Sequence, residues 1–514
     1  MQRFFITIST VLVSTVAISQ ARYDNNLMLG RETNGSLPSE LYSLNFMNVS
    51  EEPFEYYQGY FNLWYSSTAI SDSLGNLIFY TNGCQVANSN HELMVGGDSL
   101  NVGPVFYNFN CVTPPPTLRA YNSGTQSIMS MPKPNFEDQY YIFHLRKDAH
   151  PAPDESSWVV ELHSTTIDMT KNNGLGEVVE KNESILNEPL AYGSMTAVRH
   201  QDGERWWLKT NGYDSNEHIF VLIGENGKDT VVRQQVGPII QESSYITGQT
   251  VFSPNGEKMA HTDEDNHLLI FDFDRTTGQL SEPEQIFLND REETLGGVCF
   301  SSNNRFLYAA SIDTVYQFDL AAPNIAASKT VVMAYGGNYD SPPVTFYQME
   351  RGPDCKIYIN SLGITNYLHV ILYPDRPGTQ CEARQHHLIG PNTHDRNLLN
   401  APNYRLGTPY PTCDSTLNVV TSTNDILPTV GKYAEPGFEV FPNPAGRVTT
   451  VRFPEPVSGI VEVLDPYGIV RQTEYANGEA EVDLSLEHLA RGAYLVRVRY
   501  VDGRMEIQQL VKTE

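Results

Sequence analysis

The fold is decided by a stretch that reads GQTVFSPNG, residues Gly248–Gly256, in which an apolar strand runs into a polar turn. A second apolar run, Lys258–Thr262, follows at once, and a third, His267–Phe273, comes after a short hairpin. Three strand-like runs in succession, with turn residues between them, predict one antiparallel sheet that is built from neighbouring segments of the chain.

The same pattern recurs along residues 22–412 at intervals of about 50 residues, a period typical of propeller repeats. Its other copies are Gln126–Pro132, Gly193–Arg199, Gly296–Asn304 and Tyr347–Cys355, followed by the second strands Tyr140–Leu145, Arg205–Thr210, Phe306–Ala310 and Lys356–Asn360. A single four-stranded blade cannot cover both of its faces, whereas blades packed around an axis bury both. The repeat therefore predicts an all-β fold in which residues 22–412 form a β-propeller.

The number of blades depends on the repeats that are less complete. One further repeat begins at Asn62–Ser67 and continues through the apolar run that ends at Gly83. The strand-like segments Tyr42–Phe46 and Asn403–Gly407 lie near the two ends of the domain, where together they could complete one closing blade. We therefore predict seven blades, with six as the alternative.

The last part of the chain has a different pattern, which begins at Val440–Pro444, VFPNP. Pro442 and Pro444 each fix φ and remove an N–H, so this segment is predicted to be a turn between two elements. Short runs with alternating or β-branched residues follow it: Val448–Phe453, Gly459–Leu464, Ile469–Tyr475, Ala480–Leu484, Ala493–Val501 and Glu506–Val511. Six or seven short strands at this spacing predict a small immunoglobulin-like β-sandwich.

The order of motifs in this region resembles the type A sorting domain of the type IX secretion system. The motifs are Phe441-Pro442-Asn443-Pro444, Asp-x-x-Gly ending at Gly468, Val-Asp-Leu-Ser at 482–485, Gly-Ala-Tyr-Leu-Val from Gly492 with Tyr494 at its centre, and Leu-Val-Lys ending at Lys512. The resemblance implies export across the outer membrane of a Gram-negative bacterium by the type IX secretion machinery. It also implies removal of the domain, then release or attachment to a surface glycolipid. The alternative is an immunoglobulin-like domain with no sorting role.

The repeats in turn resemble the β-propellers of exported proteins from the same bacteria. The likeness is carried by Phe252–Gly256, Phe271–Gly278 and Gly352–Tyr358. The chain departs from that pattern at Cys355, where a glycine is usual, and at Ser302–Asn304, which replaces Pro-Asp-Gly. Both departures keep residues that favour a turn, so the expectation of a propeller stands.

The first residues have the features of a signal peptide. One positive charge lies in Met1–Arg3, the apolar run Phe4–Ile18 follows, and small residues in Ser19–Ala21 predict cleavage before Arg22. No later run is long and apolar enough to span a bilayer. The predicted organisation is a signal peptide at 1–21, the propeller at 22–412, a linker at 413–437 and the sorting domain at 438–514. We expect a secreted or cell-surface protein with no transmembrane segment.

The net charge indicates which classes of partner are disfavoured, and the cysteine content indicates whether disulfides form. The formal net charge of −27 disfavours nucleic acid and anionic membranes as partners, because an acidic surface repels phosphate. Six cysteines in an exported chain favour disulfides, but spacing alone leaves their pairing open. The candidate pairs closest in the sequence are Cys84–Cys111 and Cys355–Cys381, while Cys299 lies in an apolar strand and could be a free core thiol.

Few residues have a pattern typical of catalysis or metal binding. His386, His387, His394 and Asp395 could ligate a metal, but they fall in a predicted loop whose spacing does not make them converge. The run DEDN, Asp263–Asn266, could hold Ca²⁺ through oxygen atoms, or it could be a solvated hairpin turn.

A tryptophan pair, Trp206-Trp207, is the remaining candidate. Neighbouring residues of a strand point to opposite faces, so at least one indole is predicted in the core. The other could stack on a sugar or a peptide.

Three functions remain. We prefer a secreted or surface-attached binding protein with an extracellular protein or glycan as its ligand, because no catalytic motif is present and no cofactor other than Ca²⁺ is indicated. A propeller hydrolase or lactonase is the first alternative, since propellers can host carboxylate and histidine clusters at their axis. A structural part of a surface assembly is the second alternative.

Overall fold

The computed structural model describes residues 22–31, 39–46, 54–59, 62–63, 66–108, 111, 121, 124–149, 157–240, 248–263, 267–288, 296–336, 344–396, 398–404, 406, 438–464, 470–500 and 505–513. Most of them lie in β-strands, and the helical segments are short. The chain divides into two compact units, Met1–Asp425 and Ile426–Glu514. The predicted signal peptide and the predicted linker at 413–437 lie outside the described residues.

Within its described residues, the first unit contains seven antiparallel sheets that follow one another along the chain, here named blades 1 to 7. Blades 1 to 3 comprise β1 (Asn26–Arg31), β2 (Ser39–Asn45), β3 (Phe54–Gly59); β4 (Thr68–Ser71), β5 (Leu77–Thr81), β6 (Val86–Asn88); and β7 (Ile128–Pro132), β8 (Gln139–Ala149), β9 (Ser157–Asp168), β10 (Glu177–Leu190). Blades 4 and 5 comprise β11 (Thr196–Arg199), β12 (Trp206–Asn211), β13 (Ser215–Gly224), β14 (Gly227–Ile240); and β15 (Thr250–Phe252), β16 (Lys258–Thr262), β17 (His267–Asp274), β18 (Gln279–Leu280), β19 (Glu284–Phe287). Blades 6 and 7 comprise β20 (Val298–Phe300), β21 (Phe306–Ser311), β22 (Thr314–Asp319), β23 (Thr330–Ala334); and β24 (Met349–Arg351), β25 (Ile357–Ile359), β26 (Thr365–Ile371), β27 (Ala383–His394). Helix α1 (Pro104–Asn108) and the 3-10 turns Asn172–Gly174, Ala326–Ser328 and Gly378–Cys381 lie in connections.

The blades close into a ring because each one packs through both faces. Blade 1 shares one buried cluster with its two neighbours, and this cluster includes Leu29 of blade 1, Ala69 of blade 2 and Tyr358 of blade 7. The other clusters join blades 2, 3 and 4 through Phe79, Phe143 and Trp206, blades 4 and 5 through Phe220 and Phe271, blades 5 and 6 through Leu268 and Phe318, and blades 6 and 7 through Tyr308 and Ile357. The first strand of each of blades 4 to 7 also contacts the first strand of a neighbouring blade, which places these strands innermost. The predicted propeller is therefore confirmed.

The prediction of a closing blade made from both ends of the domain is wrong. Blade 1 consists of β1, β2 and β3, all from the N-terminal side. Asn403 and Tyr404, which were expected to add a strand to it, hydrogen-bond instead to blades 5 and 3. Their side chains donate to carbonyl oxygens of Pro254, in the turn after β15, and of Ser130, in β7, so these two residues lie against the inner parts of blades 5 and 3.

In three blades, the last residue of the turn after the inner strand adopts a left-handed backbone conformation, with a positive φ. Gly256 adopts φ 71° there, Asn304 adopts 61° and Cys355 adopts 65°. Glycine and asparagine tolerate this conformation, whereas a cysteine is strained in it. The two departures from the repeat pattern thus keep the turn, as its sequence predicted.

The second unit is built from β28 (Glu439–Phe441), β29 (Val448–Leu464), β30 (Val470–Ser485), β31 (Gly492–Tyr500) and β32 (Met505–Lys512). Its described residues thus form five strands in one hydrogen-bonded sheet, where we predicted six or seven short strands in a sandwich. Glu455-Pro456 and Ala476–Gly478, which lie between the predicted runs, do not interrupt β29 and β30. The ladder between these strands instead skips from Arg452 to Val457, and this irregularity accommodates a proline without a ladder hydrogen bond.

One of the two predicted disulfides is present and the other is not. Cys84 is bonded to Cys111, with their Cα atoms 5.3 Å apart. Cys355 is also disulfide-bonded, but not to Cys381, which is a free thiol, so the predicted Cys355–Cys381 pair is wrong. Cys381 ends a 3-10 turn and is buried in the cluster between blades 6 and 7, beside Tyr308. Cys299 is a free core thiol, and burial raises its pKa to about 12.

Acid should unfold the propeller early, because several of its histidines are buried in the neutral form. Burial lowers the pKa of His218 and of His369 to about 3 and that of His394 to about 4. The unfolded chain takes up protons near pH 6.5, so stability is complete above that value and falls toward pH 4 by up to about 1.4 kcal/mol per pH unit for each histidine.

Urea unfolding followed by tryptophan fluorescence at pH 7.5, 6.0 and 5.0 measures this loss, since all four tryptophans lie within residues 22–412. The variant His369→Gln cannot take up that proton and should show a shallower dependence on pH. A midpoint that stays constant from pH 7.5 to 5.0 would contradict the expectation.

Loss of the Cys84–Cys111 bond should destabilise the propeller. The two cysteines are separated by 27 residues, and closing a loop of that size stabilises a fold by about 3 kcal/mol through the unfolded state. Urea unfolding of Cys84→Ala, Cys111→Ala and the double variant measures the effect. Because either single change breaks the bond, the double variant should lose little more than the single ones; additive losses would argue against a shared bond.

Candidate functional sites

One residue type recurs just before the inner strand in three blades, either one or two residues ahead of it. These residues are Gln126, Gln249 and Gln348, and all three side chains are buried. Gln126 Nε2 donates to the carbonyl oxygen of Thr250 at 2.9 Å, and Gln126 Oε1 accepts from the Thr250 backbone N–H at 2.8 Å. The Gln126 amide thus makes two hydrogen bonds to the backbone of one residue, as a neighbouring strand does. It links blade 3 directly to blade 5, although blade 4 lies between them in the ring.

The other two glutamines extend this network to blades 6 and 7. Gln249 Nε2 donates to the Met349 carbonyl oxygen at 2.7 Å, and Gln249 Oε1 accepts from the backbone N–H groups of Val298 and Met349 at 3.1 and 3.0 Å. Gln348 Oε1 accepts from the Leu398 N–H at 3.2 Å. Buried amides that are satisfied in this way fasten the inner strands to one another across the axis.

Residues Leu398–Tyr404, here called the axial segment, follow the last blade and bind several inner strands. Asn400 Nδ2 donates to the carbonyl oxygens of Ile128 and Met195 at 3.1 and 2.9 Å. Tyr404 Oη donates to the Ser130 carbonyl oxygen at 2.7 Å, and Asn403 Nδ2 donates to that of Pro254 at 2.8 Å. The axial segment therefore ties blades 3, 4 and 5 together and fills the centre of the ring.

The space left beside the axial segment is a cavity of about 70 Å³, whose walls include Asp24, Cys299, Glu350, Arg351 and Tyr404. A water molecule takes about 30 Å³. Pockets that bind drug-sized ligands measure about 300 Å³ or more. The cavity has room for a few waters or one small ion, but not for a sugar.

Burial raises the pKa values of Cys299, Tyr404 and Glu350 in the wall of this cavity, and of these three groups Glu350 is the one whose pKa lies near neutral. Burial raises the pKa of its carboxyl to about 8, the Arg351 guanidinium partly opposes this, and the Asp24 carboxylate adds to it. A carboxyl with a pKa close to neutral can exchange a proton or receive a small cation.

The histidines that we considered as metal ligands lie in a strand, β27, and not in the loop that we predicted. His394 Nδ1 lies 2.7 Å from Tyr42 Oη, and the His386 backbone N–H donates to His369 Nδ1 at 3.1 Å. Asp395 lies 3.7 Å from the Arg31 guanidinium. Within the part of the chain that the structure describes, no three His, Cys, Asp or Glu side chains are placed to hold a metal. Each of these groups instead contacts a different partner: His394 contacts Tyr42, His386 contacts His369, and Asp395 contacts Arg31.

Of the candidate Ca²⁺ site at Asp263–Asn266, the structure describes only Asp263. The Asp263 carboxylate accepts from the His267 backbone N–H at 2.9 Å and lies 2.8 Å from His267 Nδ1, which closes the hairpin turn. Glu264, Asp265 and Asn266 lie outside the described residues.

Both members of the tryptophan pair are buried, so the idea that one could stack on a ligand is wrong. Trp206 packs between blades 3 and 4, and Trp207 packs between blades 4 and 5. Each face of a propeller blade is covered by a neighbouring blade, so opposite faces of a strand are both interior.

In the second unit, the turn after β28 is held by the end of the chain. Asn443 Oδ1 accepts from the Val511 N–H at 2.9 Å, the Ala445 N–H donates to the Val511 carbonyl oxygen at 2.7 Å, and the Thr513 N–H donates to that of Ala445 at 2.9 Å. The side chains of Phe441, Pro442 and Pro444 remain exposed.

The other candidate sorting residues have structural contacts or lie outside the description. Lys512 is buried, and its Nζ donates to the carbonyl oxygens of Leu486 and Leu489 at 2.6 and 2.5 Å. Tyr494 Oη donates to the Ala490 carbonyl oxygen at 2.8 Å. Gly492 begins β31, and Gly468 lies outside the described residues.

The sequence patterns did not predict the axial residues Gln126, Gln249, Gln348, Asn400 and Glu350. A signal for the glutamines was present, because each lies one or two residues before the first strand of its copy of the repeat. No signal of this kind marks Asn400 or Glu350, whose roles depend on how the ring closes.

Comparison with known proteins assigns the second unit. Residues 439–513 match the family described as the secretion system C-terminal sorting domain. No curated protein matches the chain.

Several solved structures resemble the chain at low identity. A protein from Lactobacillus plantarum is 11% identical, with 73% of this chain and 99% of that one covered and a TM-score of 0.41. The Myceliophteria thermophila Cps50 (Swd1) β-propeller domain is 12% identical, with 66% and 92% covered and a TM-score of 0.38. The periplasmic gluconolactonase PpgL of Pseudomonas aeruginosa is 10% identical, with 90% and 99% covered and a TM-score of 0.34. Likenesses at this level leave the function of this chain open.

The ring of seven blades and the family match together identify the two parts of this chain, a β-propeller and a C-terminal sorting domain. None of its described helices has the length and apolar character needed to cross a membrane. Residues 439–513 are a C-terminal sorting domain of the type IX secretion system, they follow a β-propeller in the sequence, and the chain is a secreted or cell-surface β-propeller protein.

Proposed function

We propose that this protein is a binding protein that the type IX secretion system delivers to the outside of a Gram-negative bacterium. The segment at 1–21 acts as a signal peptide for the inner membrane, and the sorting domain directs passage across the outer membrane. Cleavage within 413–437 then frees the propeller, which stays on the cell surface or enters the medium. Its ligand is an extracellular protein or glycan.

The observation that carries a binding role, rather than catalysis, is the filled axis. The axial segment occupies the centre of the ring, and the remaining cavity of about 70 Å³ is too small for a sugar lactone. A ligand of that size or larger would have to be bound on the outer surface of the blades or on the loops between strands. This location suits recognition of a protein or a glycan.

A hydrolase is the second candidate, because Glu350 has a pKa near 8 inside the axial cavity. A carboxyl group tuned in this way suits general acid–base chemistry. His387, by contrast, lies on β27, the outermost strand of blade 7, and is remote from that carboxyl in the order of the sheet. Glu350 is therefore the residue to change when hydrolysis is tested.

The delivery part of the proposal predicts the covalent form of the native protein. Intact mass should place its first residue near Arg22 and its last residue within 413–437, with or without the added mass of a glycolipid. The chain expressed in a cytoplasm, which should end at Glu514, is the reference. A native protein that still ends at Glu514 in both the surface fraction and the medium would contradict the proposal.

The binding part predicts no turnover by the propeller. On a panel of lactones and esters, the mature protein should not exceed the rate of buffer, and Glu350→Gln should behave in the same way. The matched control is Glu204→Gln, a change of an exposed glutamate on the same unit. Turnover that survives Glu204→Gln and is lost in Glu350→Gln would favour the hydrolase. Binding to glycan and surface-protein arrays provides the positive readout.

A further inference from the structure

We propose that the secretion machinery binds the sorting domain through Phe441, Pro442, Pro444 and Val448, here called the proline-turn surface. In this assignment Asn443 and Lys512 contribute only by holding that surface in place. The inference rests on the export role proposed above, and it separates the residues that are contacted from the residues that keep the domain folded.

The side chains of the proline-turn surface are not needed for the core. Phe441 is 64% exposed and Val448 is 49% exposed, while Val440, between Glu439 and Phe441, is buried. Phe438 and Val440 belong to the hydrophobic cluster of the domain, and Phe441 does not. Alternation along β28 therefore directs the Phe441 ring outward, where its apolar area adds little to folding.

These exposed groups form one continuous patch. Phe441 lies opposite Thr450 in the ladder between β28 and β29, and Val448 is the diagonal neighbour on the same face. Pro442, Asn443 and Pro444 follow directly and are exposed. Phe441, Pro442, Pro444 and Val448 are thus exposed apolar residues on the same strand end, the turn that follows it and the start of β29.

The patch is rigid before anything binds it. The Asn443 carboxamide, Ala445 and the C-terminal residues Val511 and Thr513 are joined by hydrogen bonds, and the Thr449 hydroxyl donates to the Pro442 carbonyl oxygen at 2.8 Å. Each proline also has a fixed φ. Little conformational entropy is therefore lost when a partner contacts this surface, which favours its use in recognition.

Lys512, in contrast to the residues of the proline-turn surface, has a buried side chain. Its side chain is only 6% exposed, and its ammonium group donates to two carbonyl oxygens of the turn before β31. The ammonium group is therefore turned inward, although the sequence shows a basic end. Lys512 anchors the strand end that pairs with Ala445, and through it the proline turn.

The occupant that fits is a subunit of the secretion machinery with an apolar cleft that accepts one aromatic ring flanked by prolines. The matched family extends over residues 439–513, so it includes the whole surface, and a sorting domain must be bound during transport. A rigid aromatic anchor next to prolines is the kind of group that dominates a binding interface.

Export of full-length variants in the producing bacterium tests the proposal. Phe441→Ala should lower the exported fraction at least about tenfold, the loss typical of a truncated aromatic anchor. Hydrogen exchange of residues 438–513 in the purified full-length chain should stay unchanged. Tyr475→Ala is the matched control, since Tyr475 is 61% exposed on β30 of the same domain, and it should be exported normally. Lys512→Met should lose both export and protection from exchange.

Two results would overturn the assignment while leaving the export role intact. One is a Phe441→Ala variant that is exported as well as Tyr475→Ala, although deletion of 438–514 blocks export. The other is a loss of exchange protection in Phe441→Ala, because the ring would then act through folding. If deletion of 438–514 leaves export unchanged, the export role itself fails, and this inference fails with it.

Photo-crosslinking identifies the occupant. The variant Phe441→p-benzoylphenylalanine should crosslink to a protein of the secretion machinery during export. A crosslink only to a second copy of this chain, or only to its own propeller, would overturn the proposal.

Discussion

The structure depends on one constraint, that a twisted antiparallel sheet with two apolar faces must cover both of them. Seven such sheets in this chain do so by packing against each other in a ring, with blade 1 placed between blades 2 and 7. This arrangement leaves no outward face on the central strands, which is why Trp206 and Trp207 are both interior although they point in opposite directions. The same burial accounts for the lowered pKa values of His218, His369 and His394.

The ring is closed without a blade that is shared between the two ends of the domain. Glutamine side chains before the inner strands and the axial segment after the last blade supply hydrogen bonds across the centre instead. Because buried amides must be paired, these contacts hold the inner strands in a defined arrangement. They also occupy the space in which a propeller could bind a small molecule. The structural device that closes this ring therefore favours recognition on its outer surfaces.

The sorting domain shows how one short motif can serve two purposes. Asn443 points toward the C-terminal strand and fastens the turn, while the neighbouring Phe441 points away from the core. Lys512, the basic residue at the other end, is satisfied internally by carbonyl groups. The two ends of the domain are thus joined into one structural element. Residues that look equivalent as parts of a motif differ in whether their side chains face the protein or the solvent.

The repeat, the all-β class, the separate C-terminal domain and its motifs could all be read from the amino-acid sequence, because turn residues and alternating apolar residues act over a few neighbours. The first two strands of each of blades 3 to 7 were predicted for this reason. Other features follow from long-range packing: the composition of the closing blade, the choice among the possible cysteine pairs, the free state of Cys381, the merging of short runs into β29 and β30, and the positions of Asn400 and Glu350 at the axis. These features join residues that are far apart in the chain, and their energies come from burial and from hydrogen bonds that exist only after the ring has closed.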